Sequence, residues 1–372
     1  MLIVHIASTY LAGAPIRIVN AINKYSEHSA RLITLTKNNP TYTQRTYPSD
    51  LIYDESKDEC LSLIENADIV HFHHFFDINS EDNSFGLNFY SSTKNGCKFV
   101  RHFHTNLDTV LSWTPNDNCL REGIINDDLP KFVVPHCAER YFLNAKVVPN
   151  IIPHDDELYL PYNPNNKKLV IFFSTTSSAT AWEERWETKG KNEVLKIIKN
   201  LEKKGLCELR FVENAPYEEC LKLKQSSDIV VGDVVTGSYH LTELEGLSMG
   251  KPVLCYVDGK TQMTLTNLTE CKAMPFINTG IEYLENVLVA LCSDRNLVEQ
   301  IGNISRNWIE SYYHVKNMVQ IYISYYQHII DGQWNVSKKN NAEDFLNRVV
   351  YDYQWQARKN CANRKYFNFL KL

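Results

Sequence analysis

The stretch Gly237-Ser238-Tyr239-His240-Leu241-Thr242-Glu243-Leu244-Glu245-Gly246-Leu247-Ser248-Met249-Gly250-Lys251-Pro252-Val253 holds the residues best suited to binding chemistry. An apolar strand ends near Gly232, a loop runs to Gly237, and a helix then starts, with Ser238, Tyr239 and Thr242 near its beginning. A helix that begins at the carboxyl end of a sheet offers free N–H groups and the positive end of its dipole, which suits an anionic or hydroxyl-rich ligand. Glu245 lies inside that helix, and an ionised carboxylate has two oxygens that can accept from both hydroxyls of a vicinal diol such as ribose. A helical Glu without such a task simply faces solvent.

A second group combines Phe173-Ser174-Thr175-Thr176 with Arg185-Trp186-Glu187-Thr188-Lys189-Gly190, just before a helix from Asn192. A cation and a glycine ahead of a helix N-terminus make a diphosphate site, because backbone amides, dipole and side-chain charge all favour the anion. Lys189 is the first choice for that charge and Arg185 the second. Leu11-Ala12-Gly13-Ala14-Pro15-Ile16-Arg17 follows the first strand directly, and Gly13 there permits close backbone approach to a ligand. The plain reading is an ordinary strand-to-helix turn. His71-Phe72-His73-His74 and His102-Phe103-His104 are also conspicuous. Strand alternation puts His71 with His73, and His102 with His104, on shared faces, from which imidazole metal sites are built. No carboxylate or cysteine stands at a characteristic spacing beside them, so the expectation is no metal, with structural histidines as the bland alternative.

The elements that must hold these residues alternate between short apolar runs and longer amphipathic stretches, the pattern of strands feeding helices in a parallel sheet. Strands are expected at Leu2–Ala7, Ala30–Thr36, Asp68–Phe72, Lys98–His104 and Lys146–Pro149, with a helix over Ala14–Tyr25. From Pro149 through Pro161 to Lys168 the chain gains prolines and loses periodicity, as linkers do. The pattern restarts with strands at Leu169–Ser174, Glu208–Glu213, Asp228–Gly232 and Pro252–Val257, and helices at Asn192–Lys204, Tyr217–Gln225 and Tyr239–Met249. One long closing helix is expected over Asn303–Ile330. The α/β reading is therefore two Rossmann-like doubly wound domains, residues 1–155 and 165–305, with a cleft between them, and a closing helix and C-terminal extension over 306–372.

Glu245-Gly-Leu-Ser-Met-Gly-Lys-Pro-Val253 resembles the Glu-Ala-Met-Ala-x-Gly-x-Pro-Val signature of the retaining GT-B glycosyltransferases, the large family numbered four. Ser227-Asp228-Ile229-Val230-Val231 is similar to the family's preceding Ala-Asp-Ile-x-x strand. The resemblance implies that Glu245 binds the donor ribose, and that Lys189 with Arg185, in a region resembling Ser-x-x-x-x-x-Lys-Gly from Ser174 to Gly190, neutralises the leaving nucleotide diphosphate. Residues Gly13, Ala14 and Arg17 resemble the family's Gly-Gly-Ala-x-x-Arg loop, which approaches the donor from the other domain. Val100-Arg101-His102-Phe103-His104-Thr105 resembles a family strand end and gives His104 a place beside the reacting sugar; His73 and His74 would line the same cleft. The family usually carries a second Glu eight positions before the first, where this chain has Gly237. The nearest pattern is a subgroup with Gly-x-Tyr-Gly, against Gly237-Ser238-Tyr239-His240 here.

The implied activity is transfer of a hexosyl-type sugar from a nucleoside diphosphate donor to a saccharide or lipid-linked saccharide, with retention, in polysaccharide or glycan assembly. No cofactor or metal is implied beyond the nucleotide sugar co-substrate. A degenerate binding or scaffold protein is the non-enzymatic alternative, motivated by Gly237, and a nucleotide-sugar epimerase the enzymatic one. With 372 residues, 44% hydrophobic and 22% charged, the chain can bury two cores. A net charge of −5 argues against nucleic acid as partner. Ten cysteines without a C-x-x-C pair fit free thiols in a reducing cytoplasm. No apolar run approaches the ~20 residues that span a bilayer. From Gln333 onward eight Lys or Arg stand against three Asp or Glu among many aromatics, a composition suited to peripheral contact with the inner membrane face or to covering a domain.

Overall fold

The computed structural model describes residues 1–35, 50–105, 127–135, 145–175, 181, 189–213 and 215–334. Arg185, the Thr176–Thr188 stretch apart from Ala181, and the basic aromatic tail beyond Trp334 lie outside them. The chain divides into two compact units. The first comprises Met1–Tyr159 with the segments Asn214–Leu221 and Ile309–Val336, and the second contains Leu160–Glu213 and Lys222–Trp308.

The first unit is built on seven strands, β1 (Leu2–Ala7), β2 (Ser29–Thr34), β3 (Leu51–Ile52), β4 (Ile69–His73), β5 (Lys98–Phe103), β6 (Lys131–Val133) and β7 (Lys146–Val147). They form one parallel sheet in the order β3-β2-β1-β4-β5-β6-β7. Helix α1 (Ala14–Tyr25) has Pro15 in its first turn, where the missing N–H costs nothing. Helices α2 (Lys57–Asn66) and α3 (Phe89–Ser92) follow β3 and β4. The central strands are buried on both faces, yet the two faces differ. Val4, Ile6, Val70, Phe72 and Phe99 point into an apolar cluster with Cys60, Ile64 and Phe89. The alternate residues His5, His71, His73 and His102 point the other way, because strand side chains alternate and the register pairs His5 with His71 and His73 with His102.

The second unit carries β8 (Val170–Ser174), β9 (Glu208–Val212), β10 (Ile229–Val231), β11 (Val253–Cys255) and β12 (Ile277–Asn278), parallel in the order β12-β11-β10-β8-β9. Its helices are α4 (Lys191–Lys203), α6 (Leu241–Ser248), α7 (Gly259–Thr269) and α8 (Leu284–Ser293), while α5 (Tyr217–Gln225) belongs to the first unit up to Leu221 and to the second from Lys222. Val194, Ile197, Ile198 and Leu201 give α4 the one-sided apolar stripe that the core demands. Its end is a Schellman-type turn: Gly205 N donates to Glu202 O and Leu206 N to Leu201 O. Helix α6 differs, since Glu243 through Ser248 are all buried and two of them are carboxylates.

The closing helix expected over Asn303–Ile330 is two helices, α9 (Arg295–Tyr312) and α10 (Val315–Ile330). The break falls where Tyr313 is buried and His314 leaves helical geometry at φ −57° and ψ 130°. His314 Nδ1 then accepts from Lys316 N at 3.2 Å and starts the second helix. Met318, Val319, Tyr322, Tyr326 and Ile329 form the buried side of α10. The seven described cysteines are free thiols. Among the described residues no helix is long and apolar enough to cross a membrane.

Candidate functional site

In the second unit the residues singled out from sequence gather at the carboxyl ends of β8, β10 and β11. Strand β8 ends at Ser174, which is half-buried, and Lys189 and Gly190 lead into α4. Gly190 is the residue before the helix, with φ 63°. A Cβ placed there would meet Ile281, Val235 and Ala181 at 3.0, 3.1 and 3.2 Å. The backbone ahead of α4 is thus packed too closely for any side chain. Lys189 Nζ reaches to 3.9 Å from Glu243 Oε1, in the first turn of α6.

Glu243 is fully buried and works as a brace. Its Oε1 accepts from Asp233 N at 2.6 Å and its Oε2 from His240 N at 2.8 Å, closing a capping box at the start of α6. Burial pushes the carboxyl upward, but Lys189, His240 and these two N–H groups outweigh it and hold the group below the ordinary carboxylate range. Asp233, also fully buried, ties the loop to itself. Its Oδ1 accepts from Val235 N and Thr236 N at 2.8 and 2.9 Å, and its Oδ2 takes the Thr236 hydroxyl and stands 3.2 Å from His240 Nε2.

Glu245 sits two positions along α6 from Glu243, hence on the other side of the helix. It is 4% exposed and its Oε2 takes a hydrogen bond from Lys224 Nζ, itself 1% exposed and lying 5.3 Å above the Phe172 ring. Two ions removed from water must be well matched to offset several kcal/mol of lost hydration each. Lys224 was not marked by any sequence pattern, since the two residues lie on separate helices and only the fold pairs them.

Gly237 has φ 90°, and an added Cβ would stand 3.1–3.3 Å from the Asp258 side chain. Its carbonyl accepts from Asp258 N and the Thr261 hydroxyl at 2.9 and 2.8 Å, and Asp258 in turn caps α7 through Thr261 N. Ser238 is buried with its Oγ unpartnered by any hydrogen bond, while Tyr239 is fully buried with its ring 5.4 Å from that of Phe276. Thr242 is half-buried in the first turn of α6.

In the first unit, Leu11, Ala12 and Gly13 have φ of 43°, 54° and 73°, a left-handed run at the carboxyl end of β1. Such a run costs on the order of 1–3 kcal/mol per non-glycine residue unless its surroundings enforce it. Arg17, buried one turn into α1, enforces it: Nη2 donates to Ala12 O at 2.6 Å, and Nη1 donates to the Tyr159 and Tyr217 hydroxyls. Ala14 is buried at the helix start.

The histidines form one cluster. His73 Nε2 lies 3.0 Å from His5 Nδ1, His73 Nδ1 lies 2.7 Å from His104 Nε2, and His71 Nδ1 lies 2.6 Å from the Tyr326 hydroxyl. Burial lowers His5 and His74 to about 3 and takes His71, His73 and His102 well below the ordinary imidazole range, with repulsion among the rings adding to it for those three. His104 is half-buried at the carboxyl edge of β5. His74 follows β4 with φ 73°. The sequence marked every member except His5, which joins only because β1 pairs with β4.

No family model matches the sequence, and no curated protein does. Solved structures do. Anabaena HepE in complex with UDP and glucose superposes with a TM-score of 0.55 at 14% identity, covering 88% of this chain and 99% of that one. A glycosyltransferase from Rickettsia africae gives 0.56 at 13% identity over 88% and 98%. An alpha-glucosyltransferase bound to UDP and a mismatched 13-mer DNA gives 0.57 at 12% identity over 88% and 99%. The chain has the GT-B fold. In this fold β8, β10 and β11 with α4 and α6 meet at the carboxyl edge of the second sheet, and the α1 loop and histidine cluster lie at the carboxyl edge of the first.

Proposed function

We propose that this chain is a retaining, hexosyl-type glycosyltransferase that moves a sugar from a nucleoside diphosphate donor to a saccharide or lipid-linked saccharide acceptor, with no metal at the diphosphate. The observation that carries the reading is the approach of Lys189 to the first turn of α6, 3.9 Å from Glu243. Two stretches far apart in sequence, each resembling a donor-binding motif, meet at the edge of one sheet.

In this reading the diphosphate lies at the amino end of α4, where backbone amides after Gly190 and the Lys189 ammonium face it, with Arg185 adding charge. The charge that grows on the leaving diphosphate is the largest electrostatic demand of the reaction, and fixed cations in a dry site meet it best. Glu245 accepts from the ribose hydroxyls, held in place by Lys224. The 237–242 loop, braced by Asp233 and Glu243, presents backbone to the sugar. Within the first unit, Gly13, Ala14 and Arg17 offer contacts to a sugar and His104 to an acceptor. UDP is the first nucleotide to test, because HepE and the alpha-glucosyltransferase were solved with it.

The test is calorimetry with UDP, GDP, ADP and CMP on wild type, Lys189→Ala, and a Glu245→Gln/Lys224→Met pair that leaves no stranded ammonium. One diphosphate nucleotide should bind, and each variant should weaken it about tenfold or more, the scale of a lost charge-assisted bond. Binding that ignores both changes sinks the donor-site reading. Binding without transfer to any acceptor leaves a nucleotide-sugar-binding protein.

A further inference from the structure

We infer that His73, His102 and His104 form a binding site for a divalent transition-metal ion of the zinc type in the first unit. One ring nitrogen from each of the three lies within 4.8 Å of the other two. A tetrahedral ion with metal–nitrogen distances of 2.0–2.1 Å needs ligand atoms about 3.3 Å apart, so small rotations of the rings suffice. His73 and His102 face each other across β4 and β5, and His104 follows on the same strand face, so the backbone fixes the spacing.

Three observations single out this set. His102 is completely buried and neither ring nitrogen has a hydrogen-bond partner, although a buried polar atom left unpaired costs about 1–3 kcal/mol. A metal ion takes one of those lone pairs. Second, His73 reaches His104 with Nδ1 and His5 with Nε2. With a metal on Nδ1, Nε2–H donates to His5 Nδ1, the outer hydrogen bond that fixes the tautomer of a ligating imidazole. Third, His104 is half-buried at the strand edge, which gives an ion a way in. A neighbouring set, His5, His71 and His73, lies wholly buried, and His71 Nδ1 is already committed to the Tyr326 hydroxyl. Neutral imidazoles select borderline ions such as Zn2+, Co2+ and Ni2+ over Mg2+ and Ca2+, which prefer oxygen. The site lies within the first unit, so its failure says nothing about the diphosphate site of the second.

The experiment strips the full chain with chelator and titrates it with Zn2+ and Co2+, using Mg2+ as comparison. Zn2+ should bind at about one equivalent, raise the melting temperature, and be refused by neither wild type nor Thr105→Ala; Mg2+ should do nothing. Co2+ should give the intense visible bands of a four-coordinate site. His104→Gln, the ligand whose loss least threatens folding, and His102→Gln should each lower affinity by more than about 100-fold, and His5→Gln by about 10–100-fold as an orienting partner. No stoichiometric Zn2+ binding by wild type overturns the inference. So does binding that survives loss of His104 and His102 but vanishes with His5, which assigns the ion to the other set.

Discussion

Acidification should unfold this protein through its histidines before its carboxylates are touched. His5, His71, His73, His74 and His102 are buried and neutral in the native state: burial lowers His5 and His74 to about 3 and holds His71, His73 and His102 well below the ordinary imidazole range. In the unfolded chain each returns to the ordinary value of 6.5. The folded value is the depressed one, so the stability these groups carry is present above 6.5 and is lost as pH falls and the unfolded state takes up protons. At pH 5.5 each unfolded imidazole is favoured by about 1.4 kcal/mol, and five together by about 7 kcal/mol, against a total stability of roughly 5–15 kcal/mol. Asp68, Asp155 and Glu243 are pushed up by burial but held down on balance by their hydrogen-bond partners, so their contributions fade only at lower pH. Denaturant unfolding at steps from pH 8 to 5.5, with chelator present, gives the number of protons from the slope. Amide exchange of β1, β4 and β5 assigns the loss to the first unit. A stability change under about 2 kcal/mol across that range, or exchange protection lost first in the second unit, refutes the reasoning.

Three substitutions in the second unit give further tests. Glu245→Ala should destabilise by about 3–5 kcal/mol because it strands the Lys224 ammonium, whereas Glu245→Gln/Lys224→Met should recover most of that in thermal unfolding. Gly237→Glu, which restores the carboxylate common in the resembling family, should cost about 1–3 kcal/mol of stability and should not raise transfer activity, because its Cβ meets Asp258 at a φ of 90°. Lys251 is lowered by burial to about 8, with Asp228 opposing. Its folded value lies below the unfolded 10.5, so the native state gains stability as pH rises from 8 to 10.5 and gains none below 8. The stability difference between wild type and Lys251→Met, followed from pH 7 to 10, should therefore shift by about 2.5 kcal/mol in favour of wild type.

Local signals were read well from sequence. Strand β1 and helices α1 and α5 fall on the residues that periodicity indicated, and most other boundaries differ by one or two positions. The two-residue strands β3 and β12 escaped because two residues carry no period, and α7 and α8 because their apolar positions are few or spread all round the helix. The break between α9 and α10 escaped for another reason: His314 can cap a helix or continue one, and only burial of Tyr313 decides.

The partners of the candidate site residues were illegible because they are matters of three-dimensional neighbourhood. His5 reads as an ordinary strand residue until β4 lies beside it. Lys224 reads as one of several lysines in a charged helix until Glu245 arrives from another helix. Gly237 shows the limit most sharply. From sequence it is a missing carboxylate, and its absence argues for a weakened site. In the fold it is the one residue type that fits a left-handed turn leaning on Asp258, with its carbonyl held by Thr261 and its flanks by Asp233 and Glu243. A loop braced by three buried carboxylates is a rigid backbone surface, and rigid donors and acceptors aimed at a ligand need no reorganisation when it binds. The position is therefore better understood as exchanging a side-chain contact for a backbone one than as a lesion, and this is why restoring the carboxylate is expected to damage the loop rather than repair a site.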